Sequence, residues 1–154
     1  MTTMLQVKNK TKLLLVDDDP SMVRLLAKII DRSFGDDIEM QSLTDPTKAR
    51  DVIEKDLIDI LVTDMEMPGV NGIGLLRCAK RRNSLTQVLF MTGHSSLDTL
   101  SDAMELGATD YLLKPLDQAE FVELLAQSQK RVQRWRQALA GTFTARGIRV
   151  PATC

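Results

Sequence analysis

Five times in 154 residues a short apolar run of strand length gives way to a stretch with helical spacing, and this alternation restricts the possible folds more than any other feature of the chain. The runs fall at residues 12–16, 38–43, 60–63, 87–92 and 109–113. Leu13-Leu14-Leu15-Val16 and Ile60-Leu61-Val62-Thr63 are apolar or β-branched at consecutive positions, as a strand covered on both faces requires. Parallel strands need a crossover between them, and the intervening helical stretches provide one. The expectation is an α/β chain, a parallel sheet covered on both faces.

The residues between the runs agree with this reading. Asp19 before Pro20 is N-cap chemistry, and Met22, Leu25, Leu26, Ile29 and Ile30 then recur at helical spacing. Thr44-Asp45-Pro46 opens a second helix through Val52 and Ile53. Pro68-Gly69 and Asn71-Gly72 force turns before a helix over residues 73–82. A helix over residues 97–106 stops at Gly107, and Asp117 caps the last one.

Composition removes several alternatives. With 44% apolar residues the chain can bury a sizeable core, yet no stretch is long and apolar enough to span a membrane. Residues 1–12 are polar and basic, with no signal-peptide pattern behind them. Cys78 and Cys154 make no disulfide framework, so a reducing cytoplasm is the expected location. The net charge of −1 hides an asymmetry: residues 1–123 hold 14 basic and 21 acidic groups, a net of −7. Lys130, Arg131, Arg134, Arg136, Arg146 and Arg149 follow with no acid among them. An acidic body with a basic tail suggests two functional parts.

Open parallel sheets bind ligands outside the carboxyl ends of their strands, and here those ends carry the polar residues. Asp17, Asp18 and Asp19 follow the first run, Asp64 the third, Thr92 closes the fourth and Lys114 follows the fifth. Each alone has a plain structural explanation: a helix cap, a solvated strand end, an ordinary strand threonine. Their joint arrival at successive strand ends points to chemistry. Carboxylates from neighbouring strands form a hard-oxygen site suited to Mg²⁺. A carboxylate beside such an ion can attack phosphorus, and phosphoryl transfer then needs positive charge and a donor on the phosphoryl oxygens, roles open to Lys114 and Thr92.

On these residues the chain resembles the receiver domain of response regulators, the CheY-like family of two-component signalling. The resemblance rests on Leu14-Leu15-Val16-Asp17-Asp18-Asp19-Pro20, Val62-Thr63-Asp64-Met65-Glu66-Met67-Pro68-Gly69 with Asn71-Gly72, Met91-Thr92-Gly93, and the run from Gly107 to Pro115. It covers residues 11–128, leaving 129–154 as a helical extension and tail. It implies a doubly wound (βα)5 fold with strand order 2-1-3-4-5 and Asp64 as the phosphoacceptor. Mg²⁺ would be held by Asp17, Asp18, Asp64 and the backbone carbonyl of Glu66. Thr92 would bond the phosphoryl group, Lys114 would pair with it, and the Lys114–Pro115 bond would be cis. Tyr111 matches the aromatic switch that turns inward as Thr92 moves; the plain alternative is a tyrosine packed on the sheet edge. Glu66 and His94 stand where the family tunes the lifetime of the aspartyl phosphate, although His94 reads equally well as an exposed loop residue.

The function so implied is a phosphorylation-dependent signalling switch fed by a sensor histidine kinase or phosphotransfer protein, with no catalysis beyond its own phosphorylation and dephosphorylation. A Mg²⁺-dependent phosphohydrolase with Asp64 as nucleophile and a phosphorylation-independent scaffold are the alternatives. The last helix, uninterrupted by proline or glycine from residue 117 to 140, exceeds what a receiver needs. Phe121, Leu125, Ser128, Val132, Trp135 and Leu139 alternate at spacings of four and three, an a/d seam. Packing on the domain accounts for Phe121 and Leu125. Val132, Trp135 and Leu139 are expected to lie past the sheet and to join two copies as a parallel homodimer, with Gly141 ending the helix. DNA contact is expected only through an output domain absent from these residues, or weakly through the basic tail.

Overall fold

In a computed structural model, which describes residues 9–93 and 96–145, the expected alternation appears as strands β1 (Thr11–Val16), β2 (Ile38–Leu43), β3 (Ile60–Asp64), β6 (Gln87–Thr92) and β7 (Asp110–Leu113), each followed by a helix. The helices are α1 (Pro20–Phe34), α2 (Ala49–Lys55), α3 (Gly72–Arg82), α4 (Leu97–Glu105) and α5 (Gln118–Ala145). A small antiparallel hairpin, β4 (Glu66–Met67) and β5 (Val70–Asn71), lies between β3 and α3 around the Pro68-Gly69 turn. The main sheet is all parallel in the order β2-β1-β3-β6-β7, which is 2-1-3-4-5 once the hairpin is set aside.

Strand alternation divides the core in two. Leu14, Val16, Leu61, Val88 and Phe90 point to one face, with Ile53 of α2 and Leu76 of α3. Leu13, Leu15, Ile60, Val62, Leu89 and Met91 point to the other, with Leu26 and Ile30 of α1 and Phe121 and Leu125 of α5. Burial on both faces is why these strands read as continuous apolar runs. Register then sets where each strand stops. Val16 lies opposite Thr63, Asp64 opposite Met91, and Thr92 opposite Leu113. The residues that end or follow these strands therefore collect along one edge of the sheet.

The capping expected of Asp19 is present, its side chain accepting from the Ser21 amide at 2.9 Å with Pro20 as first helical residue. Past α4, Gly107 adopts φ 90°, the left-handed conformation that favours glycine, and the Ala108 amide donates back to the Ala103 carbonyl at 2.9 Å. The second helix begins with a 3₁₀ turn, Pro46–Lys48, before α2 proper.

Two expectations for α5 are corrected. Gly141 does not end the helix, which continues to Ala145. A single glycine costs only about 1 kcal/mol relative to alanine in a helix, and no proline follows until Pro151. Val132 does not lie past the sheet either. It is 6% exposed, in the same core cluster as Phe121 and Leu125, and Ser128 is buried beside them. The helix, about 42 Å long at 1.5 Å per residue, runs the full height of the sheet before leaving it. Arg136 is tied to Asp59 below β3 and to the Asn9 carbonyl before β1. Of the a/d seam only Trp135 and Leu139 stay exposed, at 50% and 42%. Arg146, Arg149 and Cys154 lie outside the described residues.

Candidate functional site

The site is assembled by three strand ends and the segment after β7. Asp17 follows β1 directly and is fully buried; its Oδ1 accepts from the Asp19 amide at 2.9 Å, so the helix-capping turn also orients the carboxylate. Asp18 beside it is exposed. Asp64 closes β3 with its side chain partly exposed, and Oδ1 accepts from the Glu66 amide at 3.3 Å. The turn behind Asp64 leaves no space for a larger residue at position 72. A Cβ there would meet the Asp64 carbonyl oxygen at 2.7 Å, so Gly72 is what lets α3 start directly beneath the strand end.

Lys114 joins the two halves. Its Nζ donates to Asp17 Oδ2 at 3.1 Å and to Asp64 Oδ2 at 2.8 Å, across 97 and 50 positions of sequence. Its backbone amide donates to the Thr92 carbonyl at 2.8 Å, and the Lys114–Pro115 bond that follows is cis. Thr92, at the end of β6, is buried.

Charge is unevenly matched here. Burial pushes the Asp17 carboxyl above its ordinary range. The Asp19 amide and Lys114 pull it back in part, and the charge of Asp64 adds to the push. For Lys114, burial pulls down, but hydrogen bonds to Asp64 and Asp17 and their negative charges outweigh it, so the ammonium is held above its usual value. Asp17, Asp18 and Asp64 each offer a carboxylate oxygen, all within 4.8 Å of one another. Three hard anionic oxygens against one ammonium make a donor set that fits a small, oxygen-seeking dication such as Mg²⁺.

The structure thus brings together Asp17, Asp18, Asp64, Thr92 and Lys114. Glu66 is exposed on the hairpin two residues past Asp64. His94 lies outside the described residues. The ring of Tyr111 packs partly buried against the core face formed by α2 and α3, and its hydroxyl is buried without a hydrogen-bond partner among the described residues. The sequence marked Asn71-Gly72 as a turn without showing that position 72 abuts the Asp64 backbone. Nor did it show that Asp19 serves Asp17 through its amide.

The family model of the response regulator receiver domain matches residues 13–126. The response regulator protein PilR of Pseudomonas aeruginosa is 32% identical over 118 residues, 77% of this chain and 26% of PilR. The DNA-binding transcriptional regulator NtrC of Klebsiella pneumoniae is 32% identical over 123 residues, 80% of this chain and 26% of NtrC. The chain thus spans about a quarter of the length of these curated relatives. Among solved structures, a response regulator receiver domain protein from Clostridium thermocellum superposes with a TM-score of 0.72 at 27% identity, covering 81% of this chain and 98% of that one. The signal receiver domain of a putative LuxO repressor protein from Vibrio parahaemolyticus, at 22% identity, shares the fold with a TM-score of 0.75, covering 84% and 97%.

Proposed function

Because this chain belongs to the response regulator receiver domain family, we propose that it is a phosphorylation-dependent switch in which Asp64 accepts a phosphoryl group from the phosphohistidine of a sensor kinase or phosphotransfer protein. The observation that carries this reading is the Lys114 ammonium held between Asp17 and Asp64 at the shared strand ends. An Asp64 carboxylate oxygen forms the new O–P bond while the P–N bond of the donor breaks and its electron pair returns to the imidazole. Lys114 neutralises charge on the phosphoryl oxygens, and the Thr92 hydroxyl donates to one of them. Asp17, Asp18, Asp64 and the Glu66 carbonyl would hold Mg²⁺, which when bound draws negative charge off the transferring group.

Lys114 leaves its carboxylate partners to meet the phosphoryl group, and Thr92 moves with it. Both adjoin the segment from Tyr111 to Pro115, so the change reaches the face of β7, α4 and α5. Two states whose balance the phosphoryl group shifts are all that this coupling needs. Glu66 and His94 would set how fast water removes the group. The work of such a switch is regulatory, carried out in the cytoplasm, where its kinase and phosphodonors reside. Two copies would pair through α5, and any action on DNA would come from an output module, since the relative NtrC is a DNA-binding transcriptional regulator, with the basic tail as a weaker contact.

The test is phosphorylation by a small phosphodonor with Mg²⁺. One acid-labile, hydroxylamine-sensitive phosphoryl group should appear at Asp64 and should be absent from Asp64→Asn. Equal labelling of that variant would sink the assignment.

A further inference from the structure

Helix α5 carries its exposed charge in two halves. Glu120 and Glu123 lie toward its start, Lys130 and Arg134 toward its end, and Gln127 midway; all five are exposed. Successive steps of three, four, three and four residues keep them on one stripe. The stripe faces away from Phe121, Leu125, Ser128 and Val132, which the domain buries. None of the four charged side chains has an ion-pair partner among the described residues. Within the helix the nearest acid and base, Glu123 and Lys130, are seven residues or about 10 Å apart, too far to pair.

A stripe that is negative, neutral and then positive is complementary to its own reverse. With two helices antiparallel about a two-fold axis at Gln127, Glu120 faces the partner's Arg134 and Glu123 faces the partner's Lys130. Parallel pairing does the opposite, setting acid beside acid and base beside base along the whole stripe. We infer that two copies of this chain associate through α5 in the antiparallel sense, the acidic half of each helix against the basic half of the other. This rests on α5 as the pairing element and not on the phosphoryl chemistry.

Other occupants fit the basic half less well. Residues 1–8 and 146–154 contain no acid and cannot complement it. A nucleic acid would approach a body carrying seven surplus negative charges, two of them on Glu120 and Glu123 of the same stripe. One helix pair buries less than the roughly 800 Å² per partner of a standard interface, so the association is weak and charge-dependent.

Sedimentation equilibrium of the full chain decides the matter, because the two arrangements respond to salt with opposite sign. Raising NaCl from about 0.1 to about 1 M shortens the screening length from about 10 to about 3 Å and should weaken the dimer about tenfold. Glu120→Lys with Glu123→Lys turns attraction into repulsion and should weaken it by at least about tenfold at low salt. Adding Lys130→Glu and Arg134→Glu to that variant should restore the affinity to within about threefold of the original. A dimer that tightens with salt and ignores the Glu120 and Glu123 changes overturns the antiparallel arrangement. A chain monomeric under every condition overturns the association itself. A wild type that stays monomeric but binds duplex DNA, and loses that binding on Lys130→Glu with Arg134→Glu, reassigns the basic half to nucleic acid.

Discussion

The two ends of the parallel sheet each set acid side chains against a long cation, with opposite results. At the amino end Asp59 accepts from the Lys12 amide at 2.8 Å and from Arg136, whose guanidinium also reaches the Asn9 carbonyl. Nearby, Gln87 accepts from Thr109 and Arg131 through one oxygen, both at 3.1 Å, while its amide donates to the Leu85 carbonyl. One carboxylate meets one cation, and the neighbouring polar groups satisfy one another. At the carboxyl end three carboxylates crowd within 4.8 Å, and Lys114 bonds two of them. A balanced end needs nothing further, whereas a surplus of negative charge raises the free energy of the fold until another cation arrives. Stability and function are thus separated along the strands. The amino end should respond to mutation as structure and the carboxyl end as chemistry.

The largest expected effect lies at the carboxyl end. Asp64→Asn removes the proposed nucleophile and leaves one acceptor oxygen where the carboxylate offers two, to the Glu66 amide and to Lys114, so phosphoryl acceptance should fall to background, a loss on the order of 10³-fold or more, as removal of a nucleophile commonly costs. Lys114→Ala should still bind the donor but transfer about 10²-fold more slowly, the scale of losing one charge-stabilising donor. Rapid-quench labelling with a small phosphodonor measures both. Comparable losses from Asp59→Asn would erase the distinction between the two ends.

Metal gives the next effect. At tenfold excess over its dissociation constant, Mg²⁺ should add about 1.4 kcal/mol, a rise of roughly 3–5 °C in melting temperature for a chain of this size. Asp18→Ala removes an exposed ligand without touching the core and should abolish most of that rise. An equal rise in both proteins would place the ion elsewhere.

Asp17→Asn tests the surplus charge directly. The folded carboxyl titrates above its unfolded value because burial disfavours the anion. Between the two values the folded state binds more protons, so stability falls as pH rises through that window and stays reduced above it. The asparagine carries no charge to bury and can still accept from the Asp19 amide. Without Mg²⁺ the variant should therefore be more stable at neutral pH and should lose that pH slope. With Mg²⁺ it should lose the stabilisation that the ion gives the native chain. Urea titrations across pH 4 to 8, with and without the ion, distinguish these outcomes.

How well each end could be read from sequence follows the same division. Asp17, Asp64, Thr92 and Lys114 were legible because each sits where an apolar run stops, and in a parallel sheet all such stops share one edge. Gly72 was legible as a turn residue only. Its closeness to the Asp64 carbonyl depends on how α3 enters the sheet. The amino end was not legible at all. Nothing in the pattern around Arg136 names Asp59, 77 positions away. The burial of Val132 depends on the height of the sheet against the length of α5, which periodicity does not encode. Gly141 misled because the cost of one glycine is smaller than what the surrounding helix supplies.

The smallest expected effect concerns the latch at the amino end. Arg136 is part-buried, pairs with Asp59 and reaches Asn9, so it fixes the last turns of α5 against the start of β1. Arg136→Ala leaves the Asp59 carboxylate with the Lys12 amide, so no buried charge is orphaned. The Arg136 side chain is about one-third exposed, and solvent screening holds the loss to about 1 kcal/mol or less. Its structural consequence should exceed what that figure suggests, because the last turns of α5 lose the ion pair and the hydrogen bond that tie them to Asp59 and Asn9. Amide exchange should accelerate about fivefold, the factor that 1 kcal/mol supplies, from residue 133 onward and not before residue 128. Phosphorylation of Asp64 should proceed at the native rate, since Arg136 lies at the opposite end of the sheet. Slowed phosphorylation in Arg136→Ala would mean that the two ends are coupled through α5 and that the division drawn here is too sharp.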